Sequence, residues 1–312
     1  MKPDVLVIFP NRPKAMADLE AAYTLHHLWK AERPDSLVAE VGPRIRAVVA
    51  TGEKGASAEL IDKLPALEIV ACFGVGVDAT DRPACARRNI PITNTPDVLT
   101  EDVADQGLAL MLAALRGIVR NDRYVREGRW QEGSAPLTVR ARGKKVGVLG
   151  LGRIGKAFAR RVEALGMTVS YFGRRRQAEV AYPYYDDLVA MARDVDVLVL
   201  TCPGGAETRG LVNAAVLEAL GPEGWLVNVA RGSVCDEPAL VDALVNRRVA
   251  GASLDVFVDE PNVPEVLFGL DNVVLQPHAA SATTETRDAM AQLVVDNLAA
   301  HFAGKPLLTP VR

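Results

Sequence analysis

Lys144–Phe158 reads KKVGVLGLGRIGKAF. A short apolar strand carrying Val146, Val148 and Leu149 runs into the turn Gly150-Leu151-Gly152-Arg153-Ile154-Gly155, and a helix-forming segment follows from Lys156 to Leu165. Strand, tight turn and helix in this order form a dinucleotide-binding unit. Gly150 permits the turn, Gly152 lets the backbone approach a pyrophosphate, and Gly155 lets the helix pack closely on the strand. The pyrophosphate would sit where the N–H groups of the first helical turn and the positive end of the helix dipole converge. A G-x-G-x-x-G run alone can be a purely structural turn. Here the preceding strand and the following helix supply the context that a nucleotide site needs.

Downstream, the same alternation continues. Strands are expected at Val146–Leu149, Thr168–Phe172, Val197–Leu200, Trp225–Val229, Gly251–Leu254 and Val273–Leu275. Helices are expected between most of them, at Ile154–Leu165, Asp187–Ala192, Ala214–Leu220 and Ala239–Asn246. This is a doubly wound parallel sheet with both mononucleotide halves. Upstream, strands Val5–Phe9, Ala47–Ala50, Ile69–Phe73 and Ile90–Thr93 alternate with helical stretches Ala15–Trp29 and Ser57–Leu64, which implies a second parallel sheet. Between the two series lies a long helical stretch, Thr100–Glu127, with Thr100 as its expected N-cap and Glu101 and Asp102 in its first turn. The amphipathic segment Thr283–Phe302 follows the last strand, so it is expected to cross back and make the first domain discontinuous. The fold class is therefore α/β, with domains at 1–98 plus 284–312 and at 99–283.

The 312 residues fit two domains of ordinary size, and 49% hydrophobic with 24% charged residues is the balance of a soluble globular chain. A net charge of −3 offers no basic field, which argues against a nucleic-acid partner. The start, MKPDVLVIFPNRP, breaks before any long apolar run, so neither a signal peptide nor a membrane span is expected. Cys72, Cys85, Cys202 and Cys235 are scattered without a C-x-x-C pair. They read as reduced thiols of a cytoplasmic protein, with no disulfide framework and no metal site.

Ligands of an open α/β sheet bind beyond the carboxyl ends of its strands. Strand 225–229 ends in Ala230-Arg231-Gly232, strand 251–254 in Asp255 and the loop to Glu260-Pro261, and strand 273–275 in Gln276-Pro277-His278. That rule brings Arg231, Asp255, Glu260 and His278 to one crevice: a cation for a carboxylate, an imidazole able to give a proton, and carboxylates to orient them. A lone histidine near a strand end is more often structural, and His26, His27 and His301 are read that way. His278 differs because Arg231 and Glu260 share its context.

These residues carry a resemblance. GLGRIG, NVARGSVCDEPALVDAL, LDVFVDEP and QPHAAS, with CFGVGVD and TEDVADQGLALML upstream, run in family order along the whole chain. The sequence resembles the NAD(P)-dependent D-2-hydroxyacid dehydrogenases, and within them the glyoxylate/hydroxypyruvate and hydroxyphenylpyruvate reductases. The resemblance implies a flavodoxin-like substrate domain, a Rossmann coenzyme domain and a dimer-forming arm at about 100–142, hence a homodimer. It implies reduction of a small 2-oxo acid to a D-2-hydroxy acid, with the domains closing over the crevice. Arg231 would hold the substrate's carboxylate and oxo group, a task suited to its rigid fork. His278 would donate the proton as hydride arrives at carbon, and Glu260 would orient the imidazole and favour its protonated form. Backbone N–H groups of Val75 and Gly76 would bind the substrate carboxylate. Asp255 would accept from the nicotinamide carboxamide. The remaining coenzyme contacts implied are Gly150, Gly152, Arg153, Ile154, Gly155, Gly173, Arg174, Arg175, Cys202, Pro203, Thr208, Val229, Ala230 and His278. Leu99, Trp130 and Ser281 are candidates for the substrate pocket wall.

The second strand of the coenzyme domain ends Tyr171-Phe172-Gly173-Arg174-Arg175-Arg176, without the carboxylate that an NAD site places on the ribose hydroxyls. Three guanidinium groups there would attract a 2′-phosphate, so NADPH is expected over NADH, the less efficient alternative. Two other readings share the scaffold. One is an NAD(P)H-sensing interaction protein of co-repressor type, which fold alone does not separate from an enzyme. The other is a formate dehydrogenase, whose histidine pairs with glutamine; Glu260 argues against it.

Overall fold

The computed structural model describes residues 2–311 and divides into two compact units, Met1–Leu99 with Thr283–Arg312, and Thr100–Ala282. In the first unit the chain runs β1 (Asp4–Val7), α1 (Pro13–Ala22), β2 (Thr24–His27), α2 (Pro34–Val41), β3 (Ile45–Thr51), α3 (Ala58–Asp62), β4 (Ile69–Phe73), α4 (Arg82–Arg87) and β5 (Ile92–Thr93). The strands pair in parallel in the order β2-β1-β3-β4-β5, the flavodoxin-like order. Both faces of this sheet are buried, which is why its strands read as nearly continuous apolar runs. Val5, Val7, Val49 and Ile69 pack on one side, where Val294 and Leu298 of the C-terminal helix (Thr284–Phe302) close the core. Leu6, Val48, Val70 and Cys72 pack on the other. Thr283 caps the C-terminal helix by accepting from the Thr286 N–H, as Ser57 caps α3 by accepting from Leu60.

The helix expected over Ala15–Trp29 stops at Ala22. Thr24–His27 instead lies parallel to β1, register Asp4 to Thr24 through Val7 to His27. The spacing of Leu19, Tyr23 and Leu28 suits a helix, but a ladder along β1 satisfies the backbone groups there, and pairing overrides periodicity. His26 Nε2 lies 2.7 Å from Asp4 Oδ1, and His301 Nε2 lies 3.1 Å from Glu68 Oε2.

The second unit contains α5 (Thr100–Leu115), α6 (Ile118–Arg126), β6 (Lys145–Leu149), α7 (Arg153–Ala164), β7 (Thr168–Phe172), β8 (Tyr184–Tyr185), α8 (Leu188–Asp194), β9 (Val197–Leu200), α9 (Ala214–Leu220), β10 (Trp225–Asn228), α10 (Glu237–Val245), β11 (Gly251–Leu254) and β12 (Val273–Leu275). All strands are parallel, in the order β12-β11-β10-β9-β6-β7-β8. The order reverses between β6 and β9, which makes that junction the switch point where a ligand crevice opens. Fully buried Phe158 from α7 packs against α5 at Gly107, where a Cβ would lie 3.3 Å from its ring.

The single helix expected over Thr100–Glu127 is two. Gly117 adopts φ +56° and donates to the Ala114 carbonyl, a left-handed C-terminal turn that ends α5 before α6 begins. Thr100 is the first residue of α5, not a residue ahead of it. Among the described residues no helix is long and apolar enough to cross a membrane. All four cysteines are buried, and none is in a disulfide among the described residues.

Candidate active site

Three neighbouring strand ends carry the candidate chemistry. Beyond β12, His278 sits in the left-handed region at φ +53°, uncommon for a residue with a side chain. Asp255, directly after β11, holds it there. The His278 N–H donates to the Asp255 carbonyl at 2.8 Å, and the N–H groups of Ala279 and Ala280 donate to the two carboxylate oxygens at 2.8 and 3.0 Å. Asp255 is wholly buried. Burial pushes its carboxyl above the ordinary value, opposed by the two backbone donors and by nearby His278.

His278 Nδ1 lies 2.7 Å from Glu260 Oε2, with both side chains about three-quarters buried. The second Glu260 oxygen accepts from the Phe257 N–H at 2.9 Å, which fixes the carboxylate's orientation. The Glu260 contact is made through Nδ1, one of the two chemically distinct ring nitrogens. The loop bearing Glu260 is tied down by Glu237, whose Oε1 accepts from the Val258 N–H at 3.0 Å.

Arg231 follows β10 by three residues, and its Nη1 donates to the Ala230 carbonyl at 2.7 Å. Its turn meets the Glu260 loop backbone to backbone: a Cβ on Gly232 would lie 2.0 Å from the Phe257 carbonyl carbon. The structure thus pairs Glu260 with His278 directly, joins Asp255 to the turn of His278, and joins the turn of Arg231 to the loop of Glu260.

The glycine-rich turn lies beyond β6. Gly150 has φ +97°, and a Cβ there would lie 2.6 Å from Cys202 Cα; one on Gly155 would lie 2.4 Å from the Gly150 carbonyl oxygen. A Cβ on Gly152 would meet nothing within 4 Å. The first two glycines are required by packing, the third by nothing in the protein itself, which fits a backbone kept bare for a pyrophosphate. Arg153 and Ile154 open α7 behind it. Gly173 also faces open space, and Arg174, Arg175 and Arg176 are exposed. This basic turn is pinned beside the glycine-rich one: Gln177 donates through its backbone to the Tyr171 hydroxyl at 2.7 Å and through Nε2 to the Leu151 carbonyl at 2.8 Å. The Thr208 hydroxyl donates to the Pro203 carbonyl at 2.8 Å, and Val229 and Ala230 are buried at the end of β10.

In the first unit, Val75 and Gly76 follow β4 in a loop whose carbonyls are engaged by the chain itself. Thr95 N–H donates to Gly74, Asn94 Nδ2 to Val75 and Cys72 Sγ to Gly76. Trp130 is 69% exposed and Leu99 is buried. The sequence reading assigned no role to Asn228, Glu237 or Gln177. Only Asn228 leaves a trace in the sequence, as an amide at the end of an otherwise apolar strand.

The glycine-rich turn and the histidine–glutamate pair lie beyond the carboxyl ends of strands of one parallel sheet, as a dinucleotide-dependent oxidoreductase requires. Comparison with known proteins narrows that class. Residues 108–280 match the model of the D-isomer specific 2-hydroxyacid dehydrogenase NAD-binding domain. The chain is 50% identical over 307 residues to hydroxyphenylpyruvate reductase of Plectranthus scutellarioides, covering 98% of each. It is 49% identical over 307 residues to glyoxylate/hydroxypyruvate reductase A of Arabidopsis thaliana, again covering 98% of each. Among solved structures, the NADPH-dependent glyoxylate/hydroxypyruvate reductase of Sinorhizobium meliloti, in complex with NADP and malonate, is 46% identical with a TM-score of 0.93, over 100% of this chain and 97% of that one. The chain belongs to the D-isomer specific 2-hydroxyacid dehydrogenase family, and it is an oxidoreductase.

Proposed function

We propose that this protein reduces small 2-oxo acids to D-2-hydroxy acids, with glyoxylate and hydroxypyruvate, or the bulkier hydroxyphenylpyruvate, as substrates and NADPH as the preferred reductant. The observation that carries this reading is the 2.7 Å pair between His278 and Glu260 at the strand edge that also holds the glycine-rich turn. Bound nicotinamide dinucleotide supplies the hydride. Arg231 holds the carboxylate and the 2-oxo group. His278 gives its Nε2 proton to the oxo oxygen as the carbonyl becomes an alcohol. Glu260 keeps the ring in place and stabilises its cationic form until that transfer. Asp255 accepts from the nicotinamide carboxamide while holding the His278 turn. Gly150, Gly152, Arg153, Ile154 and Gly155, with Cys202, Pro203, Thr208, Val229 and Ala230, would hold the dinucleotide.

NADPH is favoured because Gly173 leaves room beyond β7 and Arg174 and Arg175 follow it, exposed beside the glycine-rich turn. The named function of the Sinorhizobium meliloti neighbour is consistent with this preference. Steady-state oxidation of NADPH and NADH with glyoxylate, hydroxypyruvate, phenylpyruvate and hydroxyphenylpyruvate tests the whole reading. The expected kcat/KM is higher with NADPH, and Arg174→Ala with Arg175→Ala lowers it for NADPH alone. A ratio favouring NADH would remove the cofactor assignment. No oxidation of either cofactor with any of the acids would remove the substrate class.

A further inference from the structure

We propose that Asn228 is a positioning residue for the oxo-acid clamp, holding Arg231 in register with the His278 turn through a network of buried hydrogen bonds. The inference rests on the reading of Arg231 as the group that binds the oxo acid. Asn228 is the last residue of β10 and is 1% exposed. Its side chain grips the backbone on both sides of the Ala230–Arg231 peptide. Oδ1 accepts from the Ala230 N–H at 3.0 Å, and Nδ2 donates to the Arg231 carbonyl at 3.0 Å and towards Cys235 Sγ at 3.8 Å. The amide orientation follows from chemistry, because a flipped group would set oxygen against the Arg231 carbonyl and nitrogen against an N–H.

The main chain of Asn228 reaches the other way. Its carbonyl accepts from the Asp255 N–H at 3.0 Å, the Asp255 carbonyl accepts from the His278 N–H at 2.8 Å, and the Asp255 carboxylate accepts from Ala279 and Ala280. Two buried polar residues at adjacent strand ends therefore connect the turn of the arginine to the turn of the histidine. An apolar residue would complete β10 equally well and would bury without a polar cost. The Arg231 carbonyl also accepts from the Val234 N–H at 3.2 Å, so the amide and the turn that follows share the fixing of the Arg231 backbone, and the amide serves the turn and not the sheet.

Small displacements of a positioning group carry large rate penalties. Asn228→Asp keeps the acceptor for Ala230 but sets a carboxylate oxygen against the Arg231 carbonyl; Asn228→Ser is too short to reach it. Kinetics run well below each variant's Tm, with oxamate as an unreactive mimic of the 2-oxo acid and cofactor binding followed by its fluorescence. Losing one such contact corresponds to about a tenfold effect. The oxo-acid KM and the oxamate Ki are expected to rise by about that factor, or more if the clamp shifts. The cofactor Kd and the pH profile of kcat are expected to stay at the parent values.

Parental KM and Ki in the folded variants, including variants with a lowered Tm alone, would overturn the proposal. Should neither variant fold, amide exchange in the parent decides: the Ala230 N–H is expected to be strongly protected, and free exchange there would overturn the network. An inactive parent that binds no oxamate would instead defeat the functional reading on which the inference rests.

Discussion

In the proposed function, His278 is the residue on which the chemistry turns. Its backbone is held at φ +53° by bonds to Asp255, and its ring is held at 2.7 Å from Glu260. The two constraints are independent, so the ring can be removed without disturbing the turn. His278→Ala is expected to lower kcat by about 10²–10⁴-fold while the cofactor Kd stays unchanged; near-parental turnover, measured by stopped-flow oxidation of NADPH, would remove His278 from its role. In the proposed mechanism, Glu260 acts on the proton itself. A carboxylate beside an imidazole stabilises the cation, and reduction needs the protonated ring, so the pair extends reduction to higher pH. In Glu260→Gln the amide still fills the site but the charge is gone, and the loss of kcat with rising pH is expected to begin at a lower pH than in the parent. Superimposable pH profiles would contradict the pairing. His278, Glu260 and Arg231 were legible in the sequence as candidates because each follows a strand, Glu260 after a loop, inside a recognisable motif. The hydrogen bonds of Asn228 were not, because its partners are set by the path of the chain after the strand has ended.

At the level of elements, the glycine-rich turn separates two kinds of requirement. Gly155 lies against the Gly150 carbonyl oxygen, whereas Gly152 faces open space in extended backbone at φ −81°, outside the left-handed region that favours glycine. Gly152→Ala is therefore expected to fold with a parental Tm yet bind NADPH at least about tenfold more weakly, since one methyl group would stand where the pyrophosphate must approach. Gly155→Ala is expected to lower Tm, because backbone must shift to admit it. Calorimetry on both, with cofactor titration, checks the distinction; a parental NADPH Kd in Gly152→Ala would count against the site. This turn was readable because an apolar strand and a helix flank it. Other elements were not. β2 is an edge strand of four residues whose polar His26 and His27 obscure its alternation, and β8 is only two residues long. The division of Thr100–Glu127 depends on Gly117 adopting a left-handed φ, which helical spacing does not encode.

At the level of the whole molecule, the two units carry different tasks, a flavodoxin-like sheet and a dinucleotide sheet, and the chain returns to the first through its C-terminal helix. The segment after α5 leaves large apolar side chains uncovered: Ile118 and Val125 are 55% exposed, Trp130 69% and Leu137 98%. Such residues gathered on one arm are more than an isolated domain needs to expose, and a second copy of the chain is the partner the family resemblance supplies. Light scattering is expected to give twice the chain's mass at micromolar concentration; a monomer would refute the homodimer. The central claim is that one strand edge binds the dinucleotide and delivers a proton to a 2-oxo acid. Its most direct test is a single incubation of the protein with NADPH and hydroxypyruvate, followed by chiral analysis of the product. The account predicts one D-hydroxy acid formed for each NADPH consumed. NADPH bound but not consumed, or an L-hydroxy acid as product, would contradict it.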